Sequence, residues 1–220
     1  MVWVKICGMT DIREALSISS LGIDALGFIL SSASPRKIGI NEAGKIIKAL
    51  RKYNRGAPQA VGVFVNEDLD FIREAVTKLD LDIVQLSGCE TPDYIKEVKK
   101  LKNFKIIKAV HCKNDTDIVS NIQQFEKIPD YYLLDTYHCN SYGGTGRTFD
   151  WNIAKGLSLS KRIILAGGLG PDNVSLALSA ARPFGVDASS RLEDGTGKKN
   201  LQKVRAFIKI IRGRGNEEKK

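Results

Sequence analysis

Eight short runs of apolar, often β-branched residues recur along the chain: Val2–Cys7, Ala25–Leu30, Ala60–Val65, Ile83–Leu86, Lys105–Val110, Tyr131–Asp135, Arg162–Ala166 and Gly185–Ala188. Each is too short for a typical helix and is bounded by Gly, Pro, Asn or Asp, which predicts strands. Amphipathic stretches with helix-start signals lie between them. Asp11 with Glu14 predicts an N-cap with a capping-box partner, and Asn41 precedes Glu42-Ala43-Gly44-Lys45-Ile46-Ile47. Glu67 and Asp68 open a stretch with Ile72, Val76 and Leu79 on one face; Thr91-Pro92-Asp93 and Pro171-Asp172-Asn173 open two more, and Leu201–Ile211 is the last helix.

Strands alternating with helices predict a parallel sheet covered by helices. Eight such pairs in just over 200 residues suit an α/β fold of one kind, a single closed (β/α)8 TIM barrel. An open doubly wound sheet is the alternative, but its early G-x-G-x-x-G is missing from the first turn, Cys7-Gly8-Met9-Thr10. Residues 1–211 form the one predicted domain, and 212–220 a flexible basic tail.

Composition narrows the class. No apolar run approaches the roughly 20 residues of a membrane span, and the strand-like N-terminus carries no signal peptide, so the expected location is cytoplasmic. Four scattered cysteines without a CxxC pair predict free thiols. The net charge of +9 fits an anionic partner. The basic residues are interspersed with acidic ones and form no aromatic-plus-basic stripe, which favours a small anionic substrate over nucleic acid. The cysteines and both histidines, His111 and His138, fall at or just beyond strand carboxyl ends, but their spacing matches no zinc motif.

In a barrel of this kind, chemistry is done at the carboxyl ends of the strands. Cys7 ends the first strand, as a reagent or as a small buried hydrophobe. Asp135 ends the sixth, where a carboxylate serves as helix cap, ion-pair partner or proton-transfer group. Arg36 follows the second, on the surface or in the site. Gly167 and Gly168 end the seventh strand, and Ser189 and Ser190 follow Asp187 on the eighth; these loops either cradle a phosphate or only make tight turns.

The segments VKICGMT (Val4–Thr10), GFIL with SPRKI (Gly27–Ile38), VGVFVN (Val61–Asn66), VQLSG (Val84–Gly88), LLDT (Leu133–Thr136), GGTGRTFDW (Gly143–Trp151), AGGLGPDNV (Ala166–Val174) and GVDASS (Gly185–Ser190) together resemble the phosphoribosylanthranilate isomerase family of tryptophan biosynthesis. The resemblance implies a ribulose-phosphate-binding barrel without cofactor or metal. It implies an Amadori rearrangement of N-(5-phosphoribosyl)anthranilate to 1-(2-carboxyphenylamino)-1-deoxyribulose 5-phosphate. It assigns Asp135 as general acid at the furanose ring oxygen and Cys7 as general base at C2′. It further places Arg36 on the anthranilate carboxylate, Gly167, Gly168, Ser189 and Ser190 on the phosphate, and Asp187 near the substrate's polar atoms. A thiol serves as base only if a helix N-terminus or nearby cation brings its pKa toward neutrality.

Two positions depart from the family pattern. Ser87 stands where the family reads histidine (QLHG), so a neighbour that could tune the site is expected to be missing. Arg191 stands where the family reads glycine (SSG), and is expected either to add a phosphate contact or to point to solvent. The related histidine-pathway isomerase resembles the chain at the phosphate loops, but is expected to have aspartate where Cys7 stands. A catalytically silent barrel that binds a phosphorylated metabolite is the remaining alternative. Monomer and homodimer both stay open.

Overall fold

The structure is a computed structural model and describes residues 1–31, 34–53, 56–112, 115–136 and 151–217. Eight parallel strands close into one barrel in chain order: β1 (Trp3–Cys7), β2 (Ala25–Ile29), β3 (Gln59–Phe64), β4 (Ile83–Leu86), β5 (Lys105–Cys112), β6 (Tyr131–Thr136), β7 (Ile163–Leu165) and β8 (Gly185–Ala188). Closure is completed by β1 pairing with β8, with Lys5 opposite Asp187. The outer ring is α1 (Ile12–Ser19), α2 (Ile40–Tyr53), α3 (Leu69–Leu79), α4 (Pro92–Lys99), α5 (Asp115–Gln123), α6 (Trp151–Ser158), α7 (Val174–Ala181) and α8 (Leu201–Glu217).

Local chemistry starts the helices. Asp11 accepts from the Arg13 and Glu14 amides, Asp68 from Phe71, and Thr91 from Tyr94 ahead of Pro92. Two starts differ from expectation. α2 begins at Ile40, before Asn41, with the Gly39 carbonyl taking the first helical bond from Ala43. Glu14 does not complete a capping box; its carboxylate accepts from the Lys199 amide 3.1 Å away.

The sequence pattern misses two further features. A two-stranded ribbon, β9 (Glu193–Gly195) with β10 (Lys198–Lys199), follows β8. It is too short for any alternation to register. And α8 runs on past Ile211 to Glu217, into the predicted tail. Arg212 is not frayed: its guanidinium donates to the Val2 and Gly22 carbonyls and pairs with Asp24 at 2.8 Å.

Alternate residues of each strand enter the barrel. One core lies between sheet and helices; a second, including Val61, Val63, Ile83, Ile107, Leu133 and Ile164, fills the barrel itself. At the amino ends of the strands Trp3, Tyr131 and Phe184 close the floor, with ring centroids 5.2–6.3 Å apart. The Arg162 guanidinium covers the Tyr131 and Phe184 rings at 5.8 and 5.6 Å. At the carboxyl ends the same inward parity delivers Cys7, Gln85, Ser87, His111, Asp135, Asp187 and Ser189 to one cavity.

Candidate active site

The cavity at the carboxyl ends contains about 930 Å³ of empty space including its open mouth. It is lined by all eight residues singled out above: Cys7, Arg36, Asp135, Gly167, Gly168, Asp187, Ser189 and Ser190. The Gly143–Trp151 motif lies outside the described residues as far as Asp150, as do His138 and Cys139.

Cys7 projects inward at the end of β1. The space it needs is left by Gly27 on β2: a Cβ there would come within 2.7 Å of the Cys7 Sγ and 3.0 Å of the Lys5 Cε. After Cys7 the chain turns at Gly8, whose φ of +82° suits glycine, and the Gly8 and Met9 amides both donate to the Gly27 carbonyl. Burial pushes the Cys7 thiol up from its ordinary value and Asp187 adds to this, while Lys5 and Lys199 pull it back in part. The net direction is upward, opposite to the shift toward neutrality that a thiol base needs.

Lys5 is a functional-site residue that the motif reading passed over. It is fully buried, and its ammonium meets Asp187 Oδ2 at 2.6 Å. Burial alone would discharge it, but Asp187 raises its pKa and keeps it cationic. The available signal was its parity, since Trp3, Lys5 and Cys7 share the inward face of β1. Asp187 Oδ1 and Gln85 Oε1 are buried on the cavity wall without a hydrogen-bond partner among the described residues. Such atoms cost about 1–3 kcal/mol each until water or a ligand donates to them.

Arg36 is held by a second buried network. Its Nε donates to both Glu193 oxygens, at 2.9 and 3.0 Å, and the Lys199 ammonium meets the same carboxylate at 2.5 Å. Burial would raise Glu193, but Arg36 and Lys199 hold it below the usual carboxylate value. Only Nε is engaged among the described residues, so the terminal nitrogens of Arg36 remain as a fork for a carboxylate. Lys199 also approaches Ser189 Oγ at 3.2 Å, and that hydroxyl donates to the Cys7 carbonyl at 3.0 Å. The ribbon missed in the sequence thus supplies two groups that organise the site.

The loop after β7 has two successive left-handed residues, Gly167 (φ +80°) and Gly168 (φ +64°), a conformation that side chains strain. Ser87 lines the cavity and accepts from Gln85 Nε2 at 3.0 Å. An imidazole is nevertheless present there: His111, inward on neighbouring β5, donates from Nε2 to the Ser87 carbonyl at 2.9 Å. The expected gap is thus occupied from the next strand. Arg191 is engaged with the protein itself. It does not line the cavity, and its guanidinium is bonded to Asp172 and to the Gly168 carbonyl.

Fold and site together define a (β/α)8 barrel with a thiol, a carboxyl group, an arginine and two glycine- and serine-containing loops around one mouth. A family model described as N-(5′-phosphoribosyl)anthranilate (PRA) isomerase matches residues 4–210. The N-(5′-phosphoribosyl)anthranilate isomerase of Pelobacter propionicus is 40% identical over 216 residues, covering 96% of each chain, and that of Trichlorobacter lovleyi is 41% identical over 214, covering 95% of this chain and 97% of the relative. The phosphoribosylanthranilate isomerase structure of Thermotoga maritima superposes with a TM-score of 0.87 at 36% identity, covering 97% of this chain and all of the other. Another isomerase structure, in complex with reduced 1-(o-carboxyphenylamino)-1-deoxyribulose 5-phosphate, has a TM-score of 0.83 at 33% identity, with the same coverage. The chain belongs to the N-(5′-phosphoribosyl)anthranilate isomerase family, enzymes of tryptophan biosynthesis that carry out an aldose-to-ketose Amadori isomerisation, an intramolecular oxidoreduction.

Proposed function

We propose that this chain isomerises N-(5-phosphoribosyl)anthranilate with Asp135 as general acid and Cys7 as general base. The observation that carries the assignment is their joint presence in one cavity with Arg36 and both glycine- and serine-containing loops. Arg36 takes the anthranilate carboxylate with the fork that Glu193 leaves open. The Gly167-Gly168 and Ser189-Ser190 loops take the phosphate. A ligand anchored at both ends lies across the mouth, with its ribose over Cys7 and Asp135.

Asp135 protonates the ring oxygen and the furanose opens to a cationic Schiff base. That positive charge, added to Lys5 and Lys199, favours the thiolate at the moment it is needed. Cys7 removes the C2′ proton, the electron pair moves into the C1′–C2′ bond, and the resulting enolamine tautomerises to the ketone. Asp187 Oδ1 and Gln85 Oε1 accept from substrate hydroxyls, which relieves their unmet hydrogen bonding. As a biosynthetic enzyme with scattered thiols it is placed in the cytoplasm by the same reading.

The fluorescence decay of N-(5-phosphoribosyl)anthranilate on adding the protein measures turnover directly. Cys7→Ser and Asp135→Asn are each expected to lower kcat by about 10²–10⁴-fold with the fold intact. Wild-type rates in either variant would remove that residue from the mechanism.

A further inference from the structure

Arg191 sits just beyond Ser189 and Ser190, in a single 3-10 turn (Ser190–Leu192) after β8. Its Nη2 meets Asp172 Oδ2 at 2.6 Å, and its Nη1 donates to the Gly168 carbonyl at 3.2 Å. It therefore bridges the loop after β8 to the loop after β7. The same Gly168 carbonyl accepts from Asn173 Nδ2 at 2.8 Å, so this one oxygen is gripped by two side chains. Gly170 makes the close approach possible: a Cβ there would lie 3.2 Å from the Arg191 Cβ and 3.0 Å from Asp172 Oδ1.

The direction of this grip matters. Gly167, Gly168, Leu169 and Ser190 line the cavity, whereas Arg191, Asp172 and Asn173 do not. The Gly168 oxygen is thus held from the side away from the cavity. No peptide bond described is cis, and a trans peptide points its C=O and N–H in opposite directions. Pinning that oxygen outward turns the N–H of Leu169 inward. Left-handed glycines are free to rotate this peptide, so a loop with two of them benefits most from an external restraint.

We propose that Arg191 is a positioning residue, a clamp that joins the two loops and holds their backbone amides ready for the substrate's phosphate without touching it. The proposal rests on the reading that these loops are the phosphate site. Inorganic phosphate, as a competitive inhibitor of turnover, probes that site alone. Arg191→Gly is expected to raise both KM and the phosphate inhibition constant about five-fold, with kcat changed less than two-fold. Asp172→Asn, which frees the guanidinium, is expected to weaken phosphate in the same direction, and the double variant to be no worse than the worse single one. If Arg191 acted as a plain positive charge, Asp172→Asn would instead tighten phosphate, and that result overturns the clamp. An unchanged inhibition constant in Arg191→Gly overturns it too. Failure of phosphate to compete in the wild type would overturn the phosphate-site reading and the clamp with it.

Discussion

The Cys7 thiol lies among two ammonium groups and a carboxylate, and burial still outweighs the cations. A thiol held in its protonated form reacts slowly with oxidants, since the thiolate is the reactive species. Lys5 is the larger of the two opposing cations. Labelling of Cys7 by iodoacetamide, followed by peptide mass spectrometry, is expected to rise with pH only above the ordinary thiol value, because only the thiolate reacts. Lys5→Met should move that rise to still higher pH and slow labelling at pH 9, because the cation that favours the thiolate is gone. The residues of the VKICG and LLDT motifs were legible because strand ends place chemistry. Lys5 was not, because a lysine in a strand reads as an exposed residue until the inward parity of β1 is fixed by its neighbours. Arg36 was legible as a candidate for the cavity wall, but Glu193, lying 157 residues away, is joined to it only by folding.

At the level of elements, the loop after β4 shows how a strand end is held still. Glu90, almost wholly buried, accepts from the Gly88 and Asn66 amides and pairs with Lys108 at 2.7 Å. The Lys108 ammonium also donates to the Gly88 carbonyl at 2.7 Å. The pair is buried outside the barrel, away from the mouth, and it fixes the turn that presents Ser87. Lys108→Met leaves a buried carboxylate unpaired and is expected to cost about 3–5 kcal/mol in urea unfolding, a loss comparable to truncating a large core side chain. The strands were legible because short apolar runs between turn residues have few other solutions. The helix starts at Asp11, Asp68 and Thr91 were legible from their caps. The ribbon β9–β10 and the last turns of α8 were not: one is held by Glu14 and Lys203, the other by Arg212 reaching Asp24, and each is a tertiary bond without a local signature.

For the molecule as a whole, the net charge of +9 acts on the approach of a multiply charged anion. Raising ionic strength from about 20 to 200 mM shortens the Debye length roughly three-fold and is expected to lower kcat/KM several-fold while kcat changes little. Stopped-flow or steady-state fluorescence at matched viscosity checks this. Barrel closure was legible from eight strand–helix pairs in just over 200 residues, together with a first turn that lacks the G-x-G-x-x-G of a dinucleotide-binding open sheet. The floor was not, since Trp3, Tyr131 and Phe184 come from three separate strand starts with no common motif. That aromatic floor lies beneath the side chains that already fill the barrel, so the cavity opens at the carboxyl-end mouth. Substrate and product must use the same door, so the ketose has to leave before the next aldose can arrive. Any improvement in the grip on phosphate or carboxylate, which both molecules carry, therefore lengthens the stay of the spent ligand as surely as that of the fresh one.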